Sequence, residues 1–418
     1  MVALVATACG SSSSPSPGIT KTSILIGATV PLTGPAAPGY SQIAPATNAV
    51  FKWANAHGGV DGRMIDYDYL DDGYDPSVTV TQTRQLVSLD KIFAEVGSVG
   101  TSTQGAVQSF LEQQKVPQVF VASGCVCWND PTDPESFGWQ PNYEVEGKIL
   151  GNYLKDNFGT EKVGYLYQDD AFGLGLVSGL DQELPGSQVM SRQPYDAAAL
   201  SGALSGPLHD QVAALKAARA KVVVLATIPA ATALTLLAAA AIGYAPQWVC
   251  SSDGVDPSTV GALLSSYSKG KAGDGLLNGM ISDAYLPPES DTANPWIPVT
   301  EKLLHDYDED AQLNGNTEYG VALGYTFLQA LQAAGPNLTR ASLLNAITTD
   351  GSSFVTPGLV PLTYSPSDHY GYSGAQVVQI ENGRFLTLSP VYTATNTGPV
   401  RVYTGTPSGP PASLSSTA

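Results

Sequence analysis

From Ile24 to Tyr167 short apolar runs alternate with amphipathic stretches, and this strand-then-helix rhythm constrains the fold more than any other feature of the chain. It opens at Ile26-Gly27-Ala28-Thr29-Val30-Pro31-Leu32-Thr33-Gly34-Pro35, an apolar strand stopped by a Pro/Gly turn rich in hydroxyls, with a helix following. Such a turn belongs at the carboxyl edge of a parallel sheet, where open α/β folds hold their ligands. This one has no basic residue for phosphate and no His or Cys for chemistry. It suits a pocket that holds a molecule rather than one that transforms it.

The rhythm predicts strands at 23–30, 63–70, 91–97 and 117–122, with helices at 44–57, 76–90 and 104–114 between and after them. Residues 124–142 read as irregular. A second series then follows, with strands at 162–167, 221–226, 247–250 and 276–282. Its helices fall at 143–158, 173–184 and 209–220, in the Ala-rich stretch from Ala230, and at 256–267. Helices at 294–307, 317–334 and 340–348 come next, then strands at 376–380 and 385–388 around Asn382-Gly383, a hairpin signal. At 418 residues the chain is too long for one small core. The expected fold class is α/β, with two doubly wound parallel-sheet lobes and a cleft between them, the usual place for a small ligand. Residues 22–141 and 283–372 are assigned to lobe 1, and 142–282 and 373–392 to lobe 2. Residues 1–21 form a leader and tether. The Thr/Ser/Gly/Pro-rich stretch 393–418 is expected to be disordered.

Nineteen basic against thirty-seven acidic side chains leave a net charge of −18. That balance opposes nucleic acids and anionic membrane surfaces, which need clustered Lys and Arg. Its main effect is a solubilising surface, with weak steering of cationic or zwitterionic ligands. The cysteines are Cys9, Cys125, Cys127 and Cys250. Small residues before Cys9 and the Ser/Pro stretch after it resemble a bacterial lipobox, which makes Cys9 the expected lipidation site. Eight residues precede it, fewer than a full signal segment needs, so the start lies upstream of Met1 or the chain is truncated. Export would permit disulfides. Three remaining cysteines leave at least one free or paired between chains, and pairing of Cys125 with Cys127 or Cys250 stays open. A Cys125–Cys250 link would tie the two lobes together across the cleft and hinder closure, so it is expected to be absent.

No nucleophile elbow, phosphate-cradling loop or His-Glu-x-x-His run occurs. Asp71/Asp72 and Asp169/Asp170 follow strands and precede helices, where Asp caps helix starts. The expectation is a non-enzyme with no cofactor and no metal site. Hydroxyl and small residues instead recur at strand ends: Thr101 and Ser102 after the third strand, Ser123 and Cys125 after the fourth, Thr227 and Asp253 in the second lobe. Hydroxyls and main-chain N–H groups at helix starts can hold a carboxylate without a formal cation, and Asp253 can face an ammonium group.

Five segments together carry a more specific likeness: 26–35, Ala56-His57-Gly58-Gly59-Val60-Asp61-Gly62-Arg63, 71–76, 97–104 and Asp169-Asp170-Ala171-Phe172-Gly173. In order and spacing the chain resembles type I periplasmic substrate-binding proteins, and within them the branched-chain amino-acid (leucine/isoleucine/valine) group of ABC transporter lipoproteins. Gly138-Trp139-Gln140-Pro141-Asn142-Tyr143 and Asp283-Ala284-Tyr285-Leu286-Pro287 fit that group. The resemblance implies three hinge crossovers and a trap that closes over ligand. By resemblance, Thr101, Ser102, Ser123 and Cys125 would hold an α-carboxylate, and Asp253, Tyr143 and Thr227 the ammonium side. The group's usual residues after strands three and four are replaced here by Gly97-Ser98 and Ser123-Gly124-Cys125, both in the pocket wall. The implied function is an extracytoplasmic, membrane-tethered, monomeric receptor that delivers an amino acid or similar small polar metabolite to an ABC permease. A ligand sensor of the same fold is the alternative.

Overall fold

The computed structural model describes residues 16–130, 132–200 and 208–415. Cys9, on which the lipid-anchor expectation falls, lies outside the described residues.

The first lobe begins with β1 (Ser23–Val30), the short kinked turn α1 (Ala37–Tyr40), α2 (Ile43–Ala56), β2 (Met64–Asp71) and α3 (Pro76–Gln85). It continues through β3 (Glu95–Val96), α4 (Thr101–Gln114), β4 (Gln118–Val121) and β5 (Ser136–Gly138). These strands form a parallel sheet in the order β2-β1-β3-β4-β5. Strand β1 has a neighbour on each side and layers on each face, which is why it is apolar nearly throughout and buried from Ile26 to Val30. The strand order reverses between β1 and β3, so a crevice opens at their carboxyl ends.

The second lobe contains α5 (Tyr143–Phe158), β6 (Val163–Gln168), α6 (Ala171–Glu183), β7 (Val189–Tyr195) and α7 (His209–Ala217). It continues with β8 (Val222–Ala226), α8 (Pro229–Ala241), β9 (Gln247–Cys250), α9 (Pro257–Tyr267) and β10 (Ile281–Ala284). The chain then returns to the first lobe for α10 (Trp296–Tyr307), α11 (Gly315–Ala334) and α12 (Arg340–Asp350). Both α10 and α11 pack on α2. A Cβ on Gly320 would fall 2.4 Å from the Ile43 carbonyl oxygen, so only glycine allows α11 to lie this close to α2. A third crossing leads to β11 (Gly374–Glu381), β12 (Arg384–Thr393), β13 (Arg401–Val402) and α13 (Ala412–Ser415). The second sheet runs β13-β12-β11-β10-β9-β8-β6-β7. It is parallel from β7 to β10 and antiparallel beyond.

The architecture is thus two α/β lobes joined by three crossovers, and each crossover contributes one aromatic ring to a shared cluster. Trp139 lies 5.1 Å from Tyr372 and 6.4 Å from Tyr285 between ring centroids, and Tyr285 lies 6.0 Å from Tyr372. The Tyr372 N–H donates to the Trp139 carbonyl at 2.9 Å. Gly371 permits that approach, since a Cβ there would sit 1.8 Å from the same oxygen.

Several local expectations are corrected. The irregular stretch 124–142 holds β5, whose three residues are too few for a visible period. Strand β7 was missed because its alternation of half-buried and exposed residues, typical of a sheet edge, is mostly polar. Asp274–Leu277 is a 3-10 turn, and the strand expected from 276 starts at Ile281. The expected disordered tail is instead tied to the body at several points of its described part, while residues 404–409 stay exposed. Lys148, itself buried, donates to the carbonyls of Thr395, Asn396 and Gly398, and the Trp296 indole donates to Ser408 O at 2.6 Å. Main-chain acceptors hold this segment, and a composition-based reading does not register those. No helix among the described residues is long and apolar enough to cross a membrane.

Candidate ligand-binding cleft

The carboxyl ends of both sheets face one cavity of about 130 Å³ between the lobes. That is room for roughly ten water-sized atoms, at the ~10–15 Å³ that one water needs. The first lobe contributes Tyr40, Tyr74 and the Gly100–Thr101 start of α4, and the second contributes Phe172, Asp253 and Asp283. The crossovers and α11 supply Gln140, Tyr143, Tyr285, Glu289, Glu318 and Tyr319. Among the described residues, none that lines this cavity is Lys, Arg or His.

Asp253 is the electrostatic centre of this cavity. Its position follows from β9, which ends at Cys250 in a 3-10 turn capped by the Ser251 hydroxyl. One carboxylate oxygen accepts from Gln140 Nε2 at 2.8 Å and the other from the Tyr143 hydroxyl at 2.9 Å. Gln140 in turn accepts from the Tyr319 hydroxyl at 3.0 Å. Tyr143 reaches Thr101 at 3.4 Å, and Thr101 shares a 2.7 Å bond with Ser123. One hydrogen-bonded chain therefore runs from α11 through a crossover to Asp253 and on to the start of α4. Burial, and after it the charge of Glu146, pushes the Asp253 carboxyl up to about 7. Burial also raises Asp283 well above the carboxylate range, helped by Glu146, to which it hydrogen-bonds. Glu146 Oε1 accepts from the Ser252 N–H at 2.9 Å.

Helix α4 has Gly100 at its N-cap position, and no side chain caps it. The hydroxyls of Thr101 and Ser102 are engaged elsewhere, with Ser123 and Asp170. First-turn N–H groups left without a cap, together with the helix dipole, favour an anionic group beside them.

Of the residues expected at the site, Thr101, Tyr143 and Asp253 meet at the cavity, and the other four do not line it. Ser102 is exposed and donates to Asp170 across the cleft at 2.6 Å, so it latches the lobes together. Asp170 meanwhile caps α6, the role read for it from sequence. Ser123 lies one step behind Thr101. Cys125 is bonded to Cys127 and buried beside Trp128. Thr227 pairs with Thr232 at 2.6 Å beneath the start of α8. Cys250 is a buried free thiol, raised to about 12 mainly by that burial. Tyr40, Tyr74, Gln140, Tyr285, Glu318 and Tyr319 were not read from sequence as site residues. The chain's twenty tyrosines were an available signal, as were the crossover segments quoted only for resemblance.

Further bonds close the lobes on each other. Tyr40 donates to the Asp253 carbonyl at 2.8 Å, the Gly315 N–H to Asp256 at 3.0 Å, and Asn316 Nδ2 to Thr259 at 3.2 Å. Among the described residues no group of three or more His, Cys, Asp or Glu is arranged to hold a metal ion.

Two α/β lobes hinged by three crossovers over an interlobe cavity define a periplasmic-binding-protein architecture. The chain belongs to the Periplasmic binding protein family, whose model matches residues 23–384. It is 26% identical over 172 residues to Leu/Ile/Val-binding protein homolog 2 of Brucella abortus, a match spanning 40% of this chain and 45% of that relative. A fatty acid ABC transporter substrate-binding protein from Thermomonospora curvata superposes with a TM-score of 0.78 at 19% identity, over 93% of this chain and 97% of that one. A branched chain amino acid ABC transporter protein from Thermus thermophilus with bound valine gives 0.77 at 17% identity, over 90% and 98%. At these identities the structural likeness carries the fold, type I with parallel-sheet lobes.

The buried acids also set how stability depends on pH. Burial raises Asp72 to about 6 and Glu95, Asp253 and Glu289 to about 7, all above their unfolded values near 4. Below pH 4 these groups are protonated in both states. As pH rises from about 4 to 7 the unfolded chain ionises first, so their contribution to stability is progressively lost. Asp71 and the buried His369, whose pKa values are lowered, act in the opposite sense but are fewer. The ligand-free protein should therefore melt at a higher temperature at pH 5 than at pH 7.5. A melting point that is flat or rises over that interval would contradict these burial effects.

Proposed function

We propose that the protein is an extracytoplasmic solute receptor that captures an amino acid or similar small amine-bearing metabolite and passes it to an ABC permease. The observation that carries this reading is Asp253. It is an acid held between the lobes by a crossover glutamine and Tyr143, in a cavity where none of the described lining residues is basic. A ligand ammonium would restore the charge that burial suppresses there. The ligand's carboxylate would lie at the uncapped start of α4, beside Thr101. Contacts from both lobes coexist only when the cleft is shut, so binding favours closure. The closed surface is what a permease would recognise. Attachment of the chain to the membrane through lipid on Cys9 belongs to the same reading, supported by the lipobox-like sequence.

A thermal-shift screen tests the proposal, because a ligand that binds only the folded state raises the melting temperature. Small amino acids should raise it at millimolar concentration, and the matching carboxylic acids without the amine should not. Equal stabilisation by both sets, or by neither, would overturn the assignment.

A further inference from the structure

A second acid in the cleft is left without a role by the reading above. Glu318 sits in the first turn of α11, where a carboxylate ordinarily faces water and complements the helix dipole. Here it is 2% exposed, it lines the interlobe cavity, and its Oε1 has no hydrogen-bond partner. A buried carboxyl with an empty acceptor is destabilising unless something supplies a donor. The contrast with Asp253 is sharp, because both Asp253 oxygens are already occupied by Gln140 and Tyr143.

The surroundings of Glu318 add negative charge rather than removing it. Glu289, on the crossover after β10, lines the same cavity, and its charge opposes ionisation of Glu318. Asp256, another lining residue, acts on Glu289 in the same way. Asp253 is instead influenced by Glu146, a residue of the second lobe. The cleft therefore carries two acidic centres, one on each lobe, with aromatic rings from Tyr40, Tyr74, Tyr285 and Tyr319 along the wall. Tyrosine faces attract cations as well as apolar groups.

We infer that Glu318, with Glu289 beside it, is a second anchoring point, and that the ligand carries a second nitrogen centre at its far end. Its class is a basic amino acid or a short diamine rather than an aliphatic amino acid. A cation entering between Glu318 and Glu289 supplies the missing donors and offsets their mutual repulsion. An aliphatic side chain there would leave a carboxyl unpaired, the situation by which polar sites reject ligands that lack the matching group. This rests on the reading of Asp253 as the site for the first amine.

Calorimetric titration of the full chain with L-lysine, putrescine, L-norleucine and L-leucine tests the inference. Lysine is expected to bind at least tenfold more tightly than norleucine, which has the same number of side-chain carbons but no terminal amine. Glu318→Gln should weaken lysine tenfold or more and change norleucine by less than twofold. Glu289→Gln should act in the same direction, which guards against a folding defect peculiar to one variant. The ligand-free melting point of Glu318→Gln should equal or exceed that of the parent, because a neutral amide relieves a buried acid. Norleucine binding as well as lysine, or Glu318→Gln weakening both alike, would overturn the second anchor while leaving the receptor reading in place. Failure of all four compounds to bind would remove both.

Discussion

Replacing Asp253 with alanine is expected to weaken binding of an amine-bearing ligand by about 2–5 kcal/mol, or roughly 30-fold to several thousand-fold, the usual cost of removing one partner from a buried charged pair. The variant deletes the acid that would meet the ligand ammonium and leaves Gln140 and Tyr143 without their shared acceptor. Tyr143 would then turn to Thr101, already 3.4 Å away, and to Ser123 behind it. Asp253→Asn separates these effects, because its amide oxygen can still accept a hydrogen bond while the charge is gone. The expected order of affinity is therefore parent, then Asn, then Ala, read by calorimetry with one amino acid. Ligands that lack the amine should lose far less. An equal loss for both ligand types would mean that Asp253 shapes the cleft without contacting the amine.

The second large effect concerns the hinge. Trp139→Ala should destabilise the protein by about 3–5 kcal/mol, the range for truncating a large buried aromatic. The ring is completely buried, packs edge-on against Tyr285, Tyr319 and Tyr372, and donates from its indole nitrogen to Thr326 at 3.1 Å. Truncation would empty the point where all three crossovers meet and would leave the Thr326 hydroxyl without its donor. Trp139→Phe keeps most of the packing and should cost clearly less. Urea unfolding followed by far-ultraviolet circular dichroism measures both. A loss below about 1 kcal/mol for the alanine variant would show that the cluster relaxes around the gap, against the close packing expected of such a core.

The two-lobed architecture was legible because it is written in periodicity. Runs such as Val222–Ala226, short, rich in β-branched residues and buried at every position, suit strands covered on both faces. The family resemblance then supplied the three crossovers. Short or edge elements such as β5 and β7 were not legible, since their few residues carry little or no apolar signal. The site was legible only at strand ends. Thr101 and Asp253 come in the short stretches after β3 and β9, and Tyr143 opens α5, so their placement depends on local sequence. Glu318, Tyr319 and Gln140 reach the cavity through the return of α11 and the path of a crossover, which are long-range facts without a local pattern. Cys125 and Thr227 have suitable chemistry at suitable strand ends, yet each points into a local interaction instead: a disulfide with Cys127 and a hydroxyl pair with Thr232. Residue type and spacing locate the loop, and packing decides which side chain faces the cleft.

A crystal structure of the protein grown with L-lysine tests the central claim most directly. The account predicts closed lobes with the ligand between them, its α-amine within hydrogen-bond distance of Asp253 and its carboxylate at the Gly100–Thr101 helix start. A ligand bound outside the cleft, or one whose carboxylate rather than amine faces Asp253, would contradict it.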